Sequence, residues 1–301
     1  MTQARTRKTR KHIGGLTAAA LTALSGPTLA ANGHYVPGVE GIKGAVVPPP
    51  GVYYRGYLAH YDMDSLRNEQ GNHLPSNNTG SVTALVNRLV WVSNKKLLNA
   101  DYGMEAIIPL QRTSLDFGIA GINSTEHGVA DIFVSPVVLG WHGRQWDAVF
   151  GAGLWFDTGD YSSTEPASIG KGFKTTMLTL GGNYYPDAAK SWSISALSRY
   201  EIKSKQDETH ITPGDSWLVE WAMAKKLSTG LELGLVGYNA WQLENSKQAP
   251  AGKAEKHSLG VEAGYFWPSL MIGLNAAYFN EYDVKNGPSG DLFRLTLTKV
   301  F

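Results

Sequence analysis

The 301-residue sequence contains no cysteine. That absence removes disulfides, thiolate zinc sites, iron–sulfur clusters and thiol nucleophiles together. Charge is also scarce: 18% of the residues are Asp, Glu, Lys or Arg and the net charge is +1. No basic field therefore points to nucleic acid. After residue 30 no apolar run reaches the ~20 residues of a spanning helix. What is abundant is Gly (34), Tyr (14) and Trp (9), in a chain that is 43% hydrophobic. Such a composition is too apolar for disorder and too rich in Gly for a helical bundle.

The first 30 residues contain no acid, and Arg5, Arg7, Lys8, Arg10 and Lys11 precede the apolar stretch Ile13 to Leu24. Small residues follow, ending in Thr28-Leu29-Ala30-Ala31. A basic start, a short apolar core and a small-residue step describe a secretory signal peptide, residues 1–30, cleaved after Ala30. The remainder keeps 22 of the 27 basic residues and all 26 acids, a net charge of −4.

Beyond this leader, segments of about ten residues alternate in character, the period-two signal of strands with one apolar face. In Trp192–Tyr200, Trp192, Ile194, Ala196 and Tyr200 oppose Ser193, Ser195, Leu197 and Arg199. In Ser258–Tyr265, Leu259, Val261, Ala263 and Tyr265 oppose Ser258, Gly260, Glu262 and Gly264. Twelve strands are expected, at about 52–61, 81–93, 100–110, 131–141, 146–156, 173–185, 192–203, 215–226, 231–243, 257–266, 270–281 and 291–301. Their connections alternate strictly between short and long, the long ones being 62–80, 111–130, 157–172, 204–214, 244–256 and 282–290. This parity predicts an all-β fold: a transmembrane antiparallel up-and-down β-barrel with short periplasmic turns and longer extracellular loops. An even strand count closes the sheet and leaves no edge.

Aromatic residues mark two membrane interfaces. Trp91, Trp141, Trp146, Trp192 and Trp267 fall near the short turns, and Trp155, Trp217 and Trp241 near the long loops, where amphipathic rings favour the headgroup levels. The chain ends on Phe301, after outward-facing Phe293, Leu295 and Leu297. A terminal aromatic on an amphipathic last strand suits recognition by the outer-membrane assembly machinery. Lys299 interrupts the apolar series.

Several segments resemble a known family. They are His34-Tyr-Val-Pro-Gly38, Pro48-Pro-Pro-Gly51 with Tyr53 and Tyr54, Gly128-Val-Ala-Asp-Ile-Phe-Val-Ser-Pro-Val-Val-Leu-Gly-Trp141, Phe156-Asp-Thr-Gly-Asp-Tyr161 and Gly290–Leu297. The family is that of proteins of the meta-pathway of phenol degradation, which includes sphingolipid-responsive barrels. The resemblance implies an outer-membrane barrel of a Gram-negative bacterium, linked to catabolism of aromatic or other apolar compounds and taking up small hydrophobic or aromatic solutes. It supplies no catalytic residues.

If the apolar faces meet lipid, Glu105, Arg199, Glu201, Glu220, Glu262, Glu281 and Arg294 lie in the lumen, because charges on the lipid face cost up to ~2–4 kcal/mol near the midplane. They form either a mixed-sign constriction that contacts a passing solute or a salt-bridged network that fills a narrow barrel. Residues 31–51 precede the barrel (52–301) and carry Pro37, Pro48, Pro49 and Pro50, which argues against a strand. This stretch is either a plug, with Tyr35 and Pro48–Pro50 inside, or a polyproline-like leader across the periplasmic mouth. Pro136, in the fourth strand, predicts a bulge, either a gap leading sideways into lipid or an irregularity without transport meaning.

No catalytic, cofactor or metal site is expected. His210-Ile-Thr212, the nearest pattern to a barrel lipid hydrolase, falls in a predicted external loop without the support such chemistry needs. His60, His142 and His257 have no neighbouring ligand partner, and Gly151-Ala-Gly153 lies inside a strand rather than before a helix. The expected partners are outer-membrane lipids, lipopolysaccharide, the assembly machinery and a small apolar solute. The alternative to a channel is a closed barrel that binds lipid or serves structurally.

Overall fold

The computed structural model describes residues 33–301; the expected signal peptide lies outside the described residues. Thirteen strand segments follow one another: β1 (Gly51–Arg67), β2 (Asn78–Leu97), β3 (Ala100–Phe117), β4 (Ile122–Val129), β5 (Ile132–His142), β6 (Trp146–Phe156), β7 (Thr175–Tyr184), β8 (Trp192–Lys203), β9 (Ser216–Lys226), β10 (Glu232–Gln242), β11 (Glu255–Trp267), β12 (Ile272–Lys285) and β13 (Gly287–Val300). Each pairs antiparallel with its neighbours, and β1 pairs with both β2 and β13, so that Tyr57 lies opposite Val86 on one side and Thr296 on the other. The ring is closed.

It has twelve wall positions, because β4 and β5 share one. β5 pairs with Asp101–Ile107 of β3, whereas β4 pairs with Leu110–Phe117 of the same strand. Ala130 and Asp131 separate the two. β6 pairs only with the β5 part, up to Ile132.

The faces follow the sequence alternation. On β8, Ser193, Ser195, Leu197, Arg199, Glu201 and Lys203 are buried in the lumen while Trp192, Ile194 and Ile202 are exposed to lipid. β7, β9 and β10 have 10, 11 and 11 residues, the length a tilted strand needs to cross a bilayer. β1, β2 and β3 are longer, at 17, 20 and 18 residues, so one side of the barrel stands well above the membrane.

The tall side corrects two of the expected loops. Most of 111–130 is strand, continuing β3 and adding β4, and most of 282–290 is strand on either side of Asn286. Gln111-Arg112-Thr113-Ser114 has no apolar face because that part of β3 stands in water, where alternation is not required. The raised strands bury Met63, Leu66, Leu115 and Phe117 against Ala167, a small core above the barrel. Ala167 belongs to the 157–174 loop, which folds inward instead of projecting.

Trp155 is a second correction. Of the tryptophans placed at the interfaces, Trp91, Trp146, Trp192, Trp217 and Trp267 are exposed, but Trp155 is 5% exposed and points into the lumen with Asp147 and Val149. The parity of β6 decides this. Pro136 does mark a bulge, with register shifts between Val134 and Val137 and between Gly103 and Glu105. The wall stays closed there: the Tyr102 hydroxyl donates to the Pro136 carbonyl at 2.8 Å. Ser135 Oγ lies 2.9 and 2.8 Å from the Val137 and Ala152 carbonyls.

Candidate functional site

Residues 33–50 run inside the barrel, from the level of the 157–174 loop down to the foot of β1. Prolines and glycines keep this stretch from joining the sheet, so its backbone groups need partners in the lumen. The wall supplies them as carboxylates. Glu201 Oε1 accepts the N–H groups of His34 and Tyr35, both at 3.0 Å. Glu220 accepts the Tyr35 hydroxyl at 2.6 Å and the N–H groups of Gly38 and Glu40 at 2.7 and 3.1 Å. Arg294 donates to the Gly38 carbonyl at 2.9 Å and pairs with Glu262 at 2.7 Å; Glu262 in turn accepts the Ile42 N–H at 3.3 Å.

Gly38 has φ +89°, and a Cβ there would meet Leu292 at 2.6 Å. Only glycine adopts this conformation at such close approach without cost. Lower down, the chain turns at Gly41–Gly44, whose N–H and carbonyl are 2.9 Å apart. Ala45 and Val47 then pack against Val92, Val138, Val149 and Leu197. The Pro49 carbonyl accepts the Tyr53 hydroxyl at 2.7 Å, just before β1.

At mid-height, Glu40 gathers three guanidinium groups: Arg55 at 2.9 Å, Arg199 at 3.6 Å, and Arg88. Arg88 also donates to Glu105 at 2.7 Å, and Arg199 pairs with Glu220 at 3.0 Å while lying 3.9 Å over the Tyr35 ring. Shared charges of this kind satisfy one another in a setting where an unpaired ion is costly. At the upper end His34 Nε2 lies 2.9 Å from Asp131, and Nδ1 lies 2.8 Å from Thr175. The His34 ring stacks on Trp155 with centroids 5.5 Å apart. Asp131 also accepts the N–H groups of Gly159 and Lys171, both at 2.9 Å, so one carboxylate joins the inner segment to both ends of the inward-folded loop.

Six of the seven charges expected in the lumen meet here: Glu105, Arg199, Glu201, Glu220, Glu262 and Arg294. Glu281, facing inward from β12, lies apart in the lumen, bonded to Lys256, Tyr61 and Tyr238. Of the residues expected in a plug, Tyr35 is buried in the lumen, while Pro49 and Pro50 are exposed near the foot of the barrel and Pro48 is half-buried. The sequence reading missed Glu40, Arg55, Arg88, Asp131 and Lys171. A signal existed for two of them: Glu40 is the one acid of residues 31–51, and Arg88 the one charge within 81–93.

A cavity of about 100 Å³ remains between the segment and the β1–β3 wall, with Tyr57, Val86, Ile107 and Pro109 on the wall side and Val39 on the segment side. Among the described residues no three His, Asp or Glu side chains converge as a metal site. The His210 ring sits in the 204–215 loop without a hydrogen-bond partner among them, and only its backbone N–H is bonded, to Gln206.

No curated protein sequence matches the chain. Among solved structures, the COG4313 outer membrane channel from Pseudomonas putida F1 has 16% identity and a TM-score of 0.74, over 89% of this chain and 100% of that one. The β domain of the Bordetella autotransporter BrkA has 11% identity and a TM-score of 0.51, over 84% of this chain and 100% of that one. The translocator domain of the autotransporter NalP from Neisseria meningitidis has 12% identity and a TM-score of 0.50, over 86% and 91%. These likenesses show the fold, that of outer-membrane barrels. Residues 63–297 match the family described as "MetA-pathway of phenol degradation", and with most of its length matched the chain belongs to that family.

Proposed function

We propose that this protein is an outer-membrane channel for passive uptake of small hydrophobic or aromatic compounds, with its own N-terminal segment occupying the lumen at rest. The observation that carries this reading is the cavity beside the segment, where β2 and β3 present Ala84, Val86, Ile107 and Pro109 around the Arg88–Glu105 pair. The segment is tied by side-chain hydrogen bonds, ion pairs and packing, without a sheet ladder to hold it, and such ties are individually worth about 0.5–3 kcal/mol. The family and the channel named above support the same reading. The chain is exported through residues 1–30 and inserted by the assembly machinery reading the strand that ends at Phe301, with its belt residues against lipid and lipopolysaccharide. No catalytic step is assigned to it.

The pairing of the lumen charges favours one competing reading, a closed barrel that binds lipid or serves structurally. Planar-bilayer recording of the folded mature protein separates them. The channel reading expects small conductance steps, and slower uptake of toluene or phenol by a strain lacking the protein. Silence together with unchanged uptake overturns it.

A further inference from the structure

The upper end of the lumen cavity holds donors that have nothing to donate to. Lys171 lines it from the inward-folded loop, and its ammonium makes no hydrogen bond or ion pair among the described residues, although its backbone N–H is bonded to Asp131. Trp155 also lines it, 5% exposed, and its buried indole N–H has no partner. Arg199, 4% exposed, is a third lining residue, with its Nε–H unpartnered although its terminal nitrogens are paired. Lys171 and Trp155 are neighbours through one junction, since Asp131 binds both the Lys171 backbone and His34, the ring stacked on Trp155.

The acids nearby are already used. Asp131 accepts from His34, Gly159 and Lys171 N–H; Glu201 accepts two N–H groups of the inner segment; Glu105 is held by Arg88, and Glu40 by Arg55, Arg88 and Arg199. A buried donor left unmade is expensive, and a site built to bond an oxygen discriminates strongly against a ligand without one. Burial pushes the Lys171 ammonium down, with Asp131 and Glu201 pulling it back up, so it stands to gain from an anion.

We propose that this cavity is a binding site for a small organic carboxylate with an apolar body. Lys171 and the Trp155 indole N–H hold the oxyanion, and Val39, Val86 and Ile107 contact the body. At about 100 Å³, compared with the ~150 Å³ of a cavity that takes benzene, the occupant is smaller than a substituted ring, a short-chain carboxylate. The inference deepens the channel reading by giving the solute a chemistry and a place.

The test uses the full mature protein, folded in detergent, with propionate and the neutral 1-propanol as probes in titration calorimetry. Propionate binds, and 1-propanol binds about tenfold or more weakly. Lys171→Gln lowers propionate affinity by a similar factor and leaves 1-propanol unchanged, and Lys171→Arg restores most of it. Trp155→Phe, which keeps the ring stacked on His34 and removes the N–H, weakens propionate in the same direction and serves if Lys171→Gln fails to fold by heat-modifiable mobility. Equal binding of the two probes, no binding of either, or indifference to Lys171→Gln in folded protein overturns the proposal. The same preparation in a planar bilayer tests the channel separately. Silence with propionate binding overturns conduction alone, and conduction without propionate preference overturns this site alone.

Discussion

The two sides of the lumen treat the inner segment differently. β8, β9, β11 and β13 hold it with Glu201, Glu220, Glu262 and Arg294, each within hydrogen-bond reach of its backbone. β2 reaches the Glu40 side chain with Arg88, and beside that ion pair β2 and β3 face the segment with Val86 and Ile107 across a cavity. Both sides are read from the same period-two strands, so the difference lies in which inward side chains bond the segment's backbone. A lumen built this way bonds the segment's backbone to one wall and leaves room for a solute beside the Arg88–Glu40 ion pair on the other.

The comparison breaks most severely at Glu220. Glu220→Ala removes the acceptor of Tyr35, Gly38 and Glu40 and leaves Arg199 with Glu40 alone, at 3.6 Å. Breaking a buried pair from one side costs about 3–5 kcal/mol. The expected outcome is a lower thermal midpoint and larger, longer conductance steps, because the segment loses its central anchor. Unchanged steps in folded protein would mean that the anchored wall does not control the path.

A smaller effect sharpens the lower half. At Gly140 a Cβ would meet the Val47 Cβ at 2.5 Å. Gly140→Ala therefore overpacks the foot of the segment and costs about 1–3 kcal/mol, measurable as a thermal shift. The arginine contacts of Glu40 should stay, since they lie higher. If the foot alone gates conduction, this variant matches Glu220→Ala in a bilayer; if the anchored wall gates it, the steps change little.

The smallest effect belongs to a control outside both walls. In the periplasmic turn between β7 and β8, Asp187 accepts the N–H groups of Trp192 and Ser191 at 2.8 and 2.9 Å, which hold its carboxyl at about 2. Its folded value is depressed, so its contribution is present above the ordinary carboxylate value and is lost as pH falls towards 2. Asp187→Asn removes that part of the acid dependence, read from thermal midpoints between about pH 4 and pH 2, and leaves conductance unchanged at neutral pH.

How much of this was legible in the sequence depends on whether one strand suffices to decide it. The lumen positions of Arg199, Glu220 and Arg294 follow from alternation alone, since a charge opposite an apolar face has one place to go. Chain position alone puts Trp155 at an interface, whereas the parity of β6, fixed by inward Asp147 and Val149, puts it inside. The continuation of β3 through Gln111–Ser114 was hidden because strands in water lose the alternation that reveals them. The gathering of Arg55, Arg88 and Arg199 on Glu40 was beyond reach. It joins the inner segment to three different strands, a matter of ring closure and register that no local pattern encodes.

The anchors of the inner segment also set an order of events. Glu262 and Arg294 stand on β11 and β13, near the end of the chain, while the groups they receive belong to its described beginning. All four anchors exist together only once the last strand has paired with the first. Docking is therefore a late step of assembly, and a barrel whose seam has not closed leaves its N-terminal segment undocked and open to proteolysis.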